Sequence, residues 1–91
     1  MKHIDWNKDK NAQLKARYEI CFDEIVPLLN KADGVLAVVP HPNQLKYPNQ
    51  KMFIIEIDKY AYLIPFVEDN EKYFLKTIIP SRKATKKYIS K

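Results

Sequence analysis

Three apolar segments in the second half of the chain are separated by very short connections, and that spacing restricts the fold most. Residues 52–57, 60–68 and 73–79 are strand-like, with Phe53, Ile55 and Ile57 on one face of the first. Only Asp58-Lys59 and a turn at Glu68-Asp69-Asn70-Glu71 lie between them. Parallel neighbours need a crossover of about a dozen residues, so these strands must run antiparallel. A fourth apolar segment, 35–39, suits a buried strand. It leads into an irregular loop over 40–50, which Pro40, Pro42 and Pro48 restrict. The expected result is an antiparallel four-stranded meander. Pro65 cannot donate to a ladder, so its strand needs an edge or a bulge there.

The first third reads as a short strand and two helices. Over residues 2–6, Ile4 and Trp6 share one face, with His3 and Asp5 opposite. Asn7 is placed to cap a helix running to about Arg17, whose inner stripe is Asn11, Leu14 and Tyr18. A second helix begins near Cys21, and Phe22, Ile25, Val26 and Leu29 give it an amphipathic stripe. Pro27 requires either a late start near Glu24 or a bend. Asp33-Gly34 is the stop signal, with the single glycine free to take positive φ. After residue 79, Pro80-Ser81 opens a terminal helix capped by Ser81, with Ala84 and Tyr88 one turn apart. This order predicts one α+β domain over residues 1–91, its helices packed on one face of the sheet.

Composition excludes several classes. Cys21 is the only cysteine, which rules out an intrachain disulfide and a cysteine-based zinc site. No apolar run approaches the roughly 20 residues that span a bilayer, and Met1-Lys2-His3-Ile4-Asp5 is not a signal peptide. The reading is therefore cytoplasmic, with no membrane partner. There is no paired-carboxylate spacing, no His/Cys metal cluster and no Ser-His-Asp order, so neither a metal nor another cofactor is expected. The charge is unevenly placed. Residues 72–91 carry Lys72, Lys76, Arg82, Lys83, Lys86, Lys87 and Lys91 with no acid, a net +7; residues 1–71 hold nine Lys/Arg and all 11 acids, a net −2. A cationic end beside a near-neutral body favours a polyanionic partner, nucleic acid first. A Lys-rich tail that only aids solubility is the alternative.

Two stretches resemble a known family. Ile4-Asp5-Trp6-Asn7-Lys8-Asp9-Lys10-Asn11-Ala12-Gln13-Leu14 with Phe22-Asp23-Glu24-Ile25, and Ile78-Ile79-Pro80-Ser81-Arg82-Lys83-Ala84-Thr85-Lys86-Lys87-Tyr88, are similar to the opening and closing motifs of BrnT-type toxins. The order of elements matches along most of the chain and the residue pattern along about half. The loop from His41 to Gln50 departs from the family, and Ser81 and Arg82 are adjacent without the Ala that family members place between them. The resemblance implies a RelE-like fold and a toxin of a type II toxin–antitoxin system, a metal-independent endoribonuclease that cleaves mRNA, ribosome-bound or free, and inhibits translation. It also implies a hetero-oligomer with a cognate ribbon-helix-helix antitoxin. The alternatives are a non-catalytic RNA- or DNA-binding module using the basic strand–helix unit, and a decayed toxin retaining only antitoxin binding.

Metal-free RNA cleavage needs a 2′-hydroxyl deprotonated, a pentacoordinate phosphate stabilised and a 5′-oxygen protonated. Arg82 is the first candidate, because a guanidinium grips two phosphate oxygens and keeps its charge; a helix N-terminus there would add to the effect. Lys76, mid-strand on the face expected for Phe74 and Ile78, is the second. His41, held between Pro40 and Pro42, is the third, as an acid or base that titrates near neutrality. Lys83, Lys86 and Lys46 are candidate phosphate contacts, and Tyr47 a base-stacking ring. Tyr88 either reaches the site or staples the helix to the sheet. Tyr60, Tyr62 and Phe66 alternate as a stacking platform would, and core packing explains them equally well.

Overall fold

The computed structural model describes residues 3–31 and 34–90. The sequence expectations at Lys2, Asp33 and Lys91 lie outside the described residues. In chain order the elements are β1 (His3–Trp6), α1 (Lys8–Tyr18), α2 (Phe22–Leu29), β2 (Val35–Pro40), β3 (Gln50–Ile57), β4 (Tyr60–Glu68), β5 (Lys72–Leu75), β6 (Ile79–Pro80) and α3 (Arg82–Tyr88). This is an α+β fold with a mixed sheet in the order β1-β5-β4-β3-β2, and β6 pairs with β4. β2 to β5 form the expected antiparallel meander, and β1 joins it parallel to β5. Asp58 and Lys59 both take positive φ, 51° and 65°, the backbone a two-residue hairpin needs.

Capping sets the helix ends. Asn7 Oδ1 accepts from Lys10 N at 2.9 Å. Asn11 faces inward because it serves the next helix: its Oδ1 accepts from Phe22 N at 2.6 Å, and its Nδ2 donates to Asp23 Oδ2 at 2.9 Å. Cys21, which precedes α2, makes no side-chain cap of its own. The helix runs through the exposed Pro27 from Phe22 onward, so the late start at Glu24 is not what the chain adopts. Gly34 does not take positive φ. A Cβ there would stand 1.8 Å from Leu28 O, so the glycine is needed for close approach to the end of α2.

The helices do not share one face. Leu14 of α1 and Phe22, Ile25 and Leu29 of α2 pack with Phe53, Ile55, Ile64, Phe66, Leu75 and Ile78. Each fully buried side chain of this size contributes about 1.5–3 kcal/mol. Inside that core Phe53 and Phe66 stack at 4.0 Å, with Tyr73 edge-on to both. α3 lies on the opposite face, where Ala84, Tyr88 and Ile89 pack with Ile54, Ala61 and Leu63. Strand alternation produces this division, since Phe53 and Ile55 face one way and Ile54 the other. β2 is a sheet edge and not a buried strand, and Val38 is 52% exposed on it.

The expected strand over 73–79 is broken in two, and Pro65 explains the break. Lys76 N donates to Pro65 O at 2.8 Å. In an antiparallel ladder the N–H and C=O of one residue point to the same side, so the Pro65 nitrogen also faces the β5–β6 row. It has no proton to offer. Phe66 opposes Leu75 while Leu63 opposes Ile79, so one extra residue lies between β5 and β6. Leu75 and Ile78 therefore both enter the α1/α2 core, and Lys76 leaves the strand. Its expected sharing of a face with Ile78 is overturned by that extra residue.

α3 is fastened to β4 by a short chain of bonds. Ser81 N donates to Ala61 O at 3.0 Å, Ala61 N to Thr85 Oγ1 at 2.9 Å, and Thr85 Oγ1 to Ser81 O at 2.7 Å. Ser81 Oγ accepts from Ala84 N at 3.0 Å, the expected cap. Thr85→Val keeps the shape and removes the acceptor for Ala61 N. We expect it to destabilise the protein by about 1–3 kcal/mol in urea denaturation; an unchanged midpoint would show that this link carries no weight.

Candidate functional site

On the α3 face of the sheet, a cleft of about 300 Å³ is lined by His41, Tyr47, Gln50, Pro65, Lys76, Thr77 and Ile79. One wall is the loop that follows β2, and the other is the segment freed by the β5–β6 break. Three of the sequence candidates, His41, Tyr47 and Lys76, thus meet in one place.

Asn43 organises the loop wall. Its backbone N–H donates to His41 Nδ1 at 3.0 Å, its Oδ1 accepts from Lys46 N at 3.0 Å, and its carbonyl accepts from Tyr47 N at 2.9 Å. Gln44 Nε2 donates to His41 O. His41 N in turn donates to Gln50 O at 3.0 Å, which holds the ring beside β3. The His41 and Tyr47 rings lie 4.6 Å apart, and Lys46 Nζ is 5.3 Å from the Tyr47 centroid. With Nδ1 accepting, the imidazole proton resides on Nε2. His41 is then a hydrogen-bond donor in this arrangement and not a proton acceptor. On the opposite wall, Lys76 Nζ is 5.4 Å from the Phe74 ring centroid and the residue is exposed. An ammonium, an imidazole N–H and a stackable phenol make a combination suited to a phosphodiester with an adjoining base.

The other candidates lie elsewhere on the same face or outside it. Arg82 is exposed in the first turn of α3, three residues beyond Ile79, and does not line the cleft. Lys83, Lys87 and Tyr88 line a separate apolar groove of about 300 Å³ with Val39, Met52 and Leu63. Tyr88 packs against the second core cluster, the stapling role, and Lys87 Nζ lies 5.4 Å from its ring centroid. Lys86 is exposed on α3. Lys72 lies 3.7 Å from Asp5 Oδ2 of β1 and flanks the same Phe74 ring as Lys76, at 5.8 Å from its centroid, but it does not line the cleft. The stacking platform is not formed, because Phe66 is 2% exposed and Tyr62 packs against the α1/α2 core. Burial and the nearby Asp58 charge raise the Tyr62 phenol above its usual range.

Residue type gave no sign of Asn43 or Gln50 at the site, whereas the irregularity expected at Pro65 is met by the extra residue in the row opposite it. Pro42-Asn43 was a turn signal, but the partners of the turn depend on the folded loop. Among the described residues no three His, Cys, Asp or Glu side chains are grouped to hold a metal ion, and no helix is long and apolar enough to cross a membrane. No family model, curated protein or solved structure matches the chain.

The Asn43–His41 bond has a direct spectroscopic consequence. Nitrogen-15 spectra of the neutral His41 ring should show the Nε2–H tautomer. A dominant Nδ1–H tautomer would contradict the loop geometry and restore His41 as a proton acceptor.

Proposed function

We propose that the chain is an endoribonuclease toxin of the BrnT type, in the RelE-like branch of type II toxin–antitoxin toxins, acting on mRNA in the cytoplasm. The observation that carries this reading is the convergence of His41 and Tyr47, from one loop, with the sequence-distant Lys76 in one cleft beside a cationic helix. In the reaction the 2′-oxygen bonds to phosphorus as the P–O5′ bond breaks. The 2′-hydroxyl proton leaves to solvent, and the 5′-oxygen gains one. Lys76 stabilises the charge that develops on the phosphoryl oxygens, and His41 donates from Nε2 to one of them. Tyr47 stacks a neighbouring base. Arg82, Lys83 and Lys86 meet phosphates further along the strand. The described order of strand, two helices, meander and terminal helix supports the RelE-like reading. A ribbon-helix-helix antitoxin would block the cleft with an acidic segment laid across Lys76 and Arg82.

One observation favours a non-catalytic RNA-binding module instead: His41 Nδ1 is already engaged, so no histidine lone pair awaits the 2′-hydroxyl. Cleavage assays separate the two. The purified chain should cut mRNA in the presence of a chelator, and expression should arrest growth. Lys76→Ala should slow cleavage by about 10²–10³, more than Arg82→Ala, with circular dichroism unchanged. RNA that is bound and left intact would establish the binding module. An unaffected rate in Lys76→Ala would move the site elsewhere.

A further inference from the structure

Beyond Gln50 lies a second and larger cavity, about 560 Å³, between the loop after β2 and the β4–β5 turn. Gln50 lines both spaces. The two differ in chemistry. The larger cavity is lined by four carboxamides, those of Gln44, Asn49, Gln50 and Asn70. Its one ammonium, Lys51, faces Glu68 Oε1 at 3.9 Å. Glu68 and Asp69 on its wall oppose an anion, so this is not a second phosphate site.

A carboxamide offers two donors and an acceptor in one plane. Gln44 uses its Nε2 on the His41 carbonyl, and its oxygen accepts no hydrogen bond among the described residues. The side chains of Asn49, Gln50 and Asn70 make no hydrogen bond among the described residues. Pro40 and Pro48 supply apolar surface beside them. Such a lining suits a flat, uncharged ligand whose edge alternates donors and acceptors, and the volume lies within the range of small-ligand sites. Nucleobases have that character, and single-stranded RNA is read by their exposed edges. Among the four bases, Asn and Gln pair best with the adjoining donor and acceptor of adenine, whereas guanine calls for Arg or Lys.

We propose that this cavity binds an unpaired nucleobase, adenine in preference to the others, from an RNA strand whose phosphate lies in the His41–Lys76 cleft. The course of the strand rests on the ribonuclease reading above; the base chemistry of the cavity does not. Gln50, at the shared boundary, would separate a phosphate from the base next to it.

The test uses the full chain labelled with nitrogen-15 and three uncharged probes, adenosine, cytidine and uridine, with ribose 5-phosphate as the base-free control. Adenosine should shift the side-chain amide signals of Asn49, Gln50 and Asn70 more than the other nucleosides do. Ribose 5-phosphate should shift Lys76 and Thr77 and leave those amides in place. Asn49→Ala combined with Asn70→Ala should weaken adenosine binding by about tenfold while the ribose 5-phosphate response persists. No response to any nucleoside, or equal responses that the double variant does not change, would overturn the proposal. Adenosine binding without mRNA cleavage would leave the cavity assigned and remove the ribonuclease reading. Cleavage without any adenosine response would do the reverse.

Discussion

A proline sits inside a central strand of this sheet, and one wall of the candidate site follows from it. Pro65 is paired with Met52 on one side, while its nitrogen faces the β5–β6 row and offers no donor. The row answers with an extra residue between β5 and β6, and Lys76 N bonds to the Pro65 carbonyl instead of extending the ladder. A backbone donor missing from a ladder is tolerated only at such an irregularity. The break frees residues 76–78 from strand geometry. Ile78 turns into the α1/α2 core at 1% exposure, which anchors the irregular segment, while Lys76 and Thr77 line the cleft on the other face.

The two faces of the sheet are thereby given different work. One carries Phe22, Ile25, Phe53, Ile55, Ile64 and Phe66, an apolar and aromatic core closed by α1 and α2. The other is covered only in part, because α3 has seven residues and is held to β4 through Ser81 and Thr85. What α3 leaves open is bordered by the loop that follows β2. That loop is held by Asn43 and by the His41–Gln50 backbone bond, not by a core of its own, and Leu45 in it is fully exposed. A stable core on one face lets the other carry exposed cations and an open cleft.

Much of this frame was legible in the sequence because local rules decide it. The Asp58-Lys59 spacing required a hairpin, Asn7 and Ser81 capped helices as their side chains predict, and the Phe22-Ile25-Leu29 stripe found the core. Other features depended on contacts that no local pattern contains. Lys76-Thr77-Ile78-Ile79 reads as a continuation of the strand, and only the partner residue Pro65 reveals the extra residue. The run from Val35 looked buried because it is apolar, yet its place at the edge follows from the order in which strands pair. The face taken by α3 follows from the path after the break. His41, Tyr47 and Lys76 were found as separate candidates by residue type, and their meeting is a product of the fold. Arg82 was placed first for its guanidinium and its position at the start of the terminal helix, and it lies on α3 beyond the cleft lining. The carboxamides of the loop gave no signal, since Asn and Gln are common in turns.

The central claim is that the break opposite Pro65 and the Asn43-held loop together form the surface that meets RNA. It is tested most directly by backbone amide shifts during titration with a short RNA made uncleavable by 2′-deoxy substitution, at two salt concentrations. The account predicts that the largest shifts fall on His41, Tyr47, Gln50, Lys76 and Thr77. Binding should weaken steeply as salt rises, because phosphate contacts release counterions. Shifts concentrated on α1 and α2, or binding indifferent to salt, would contradict it.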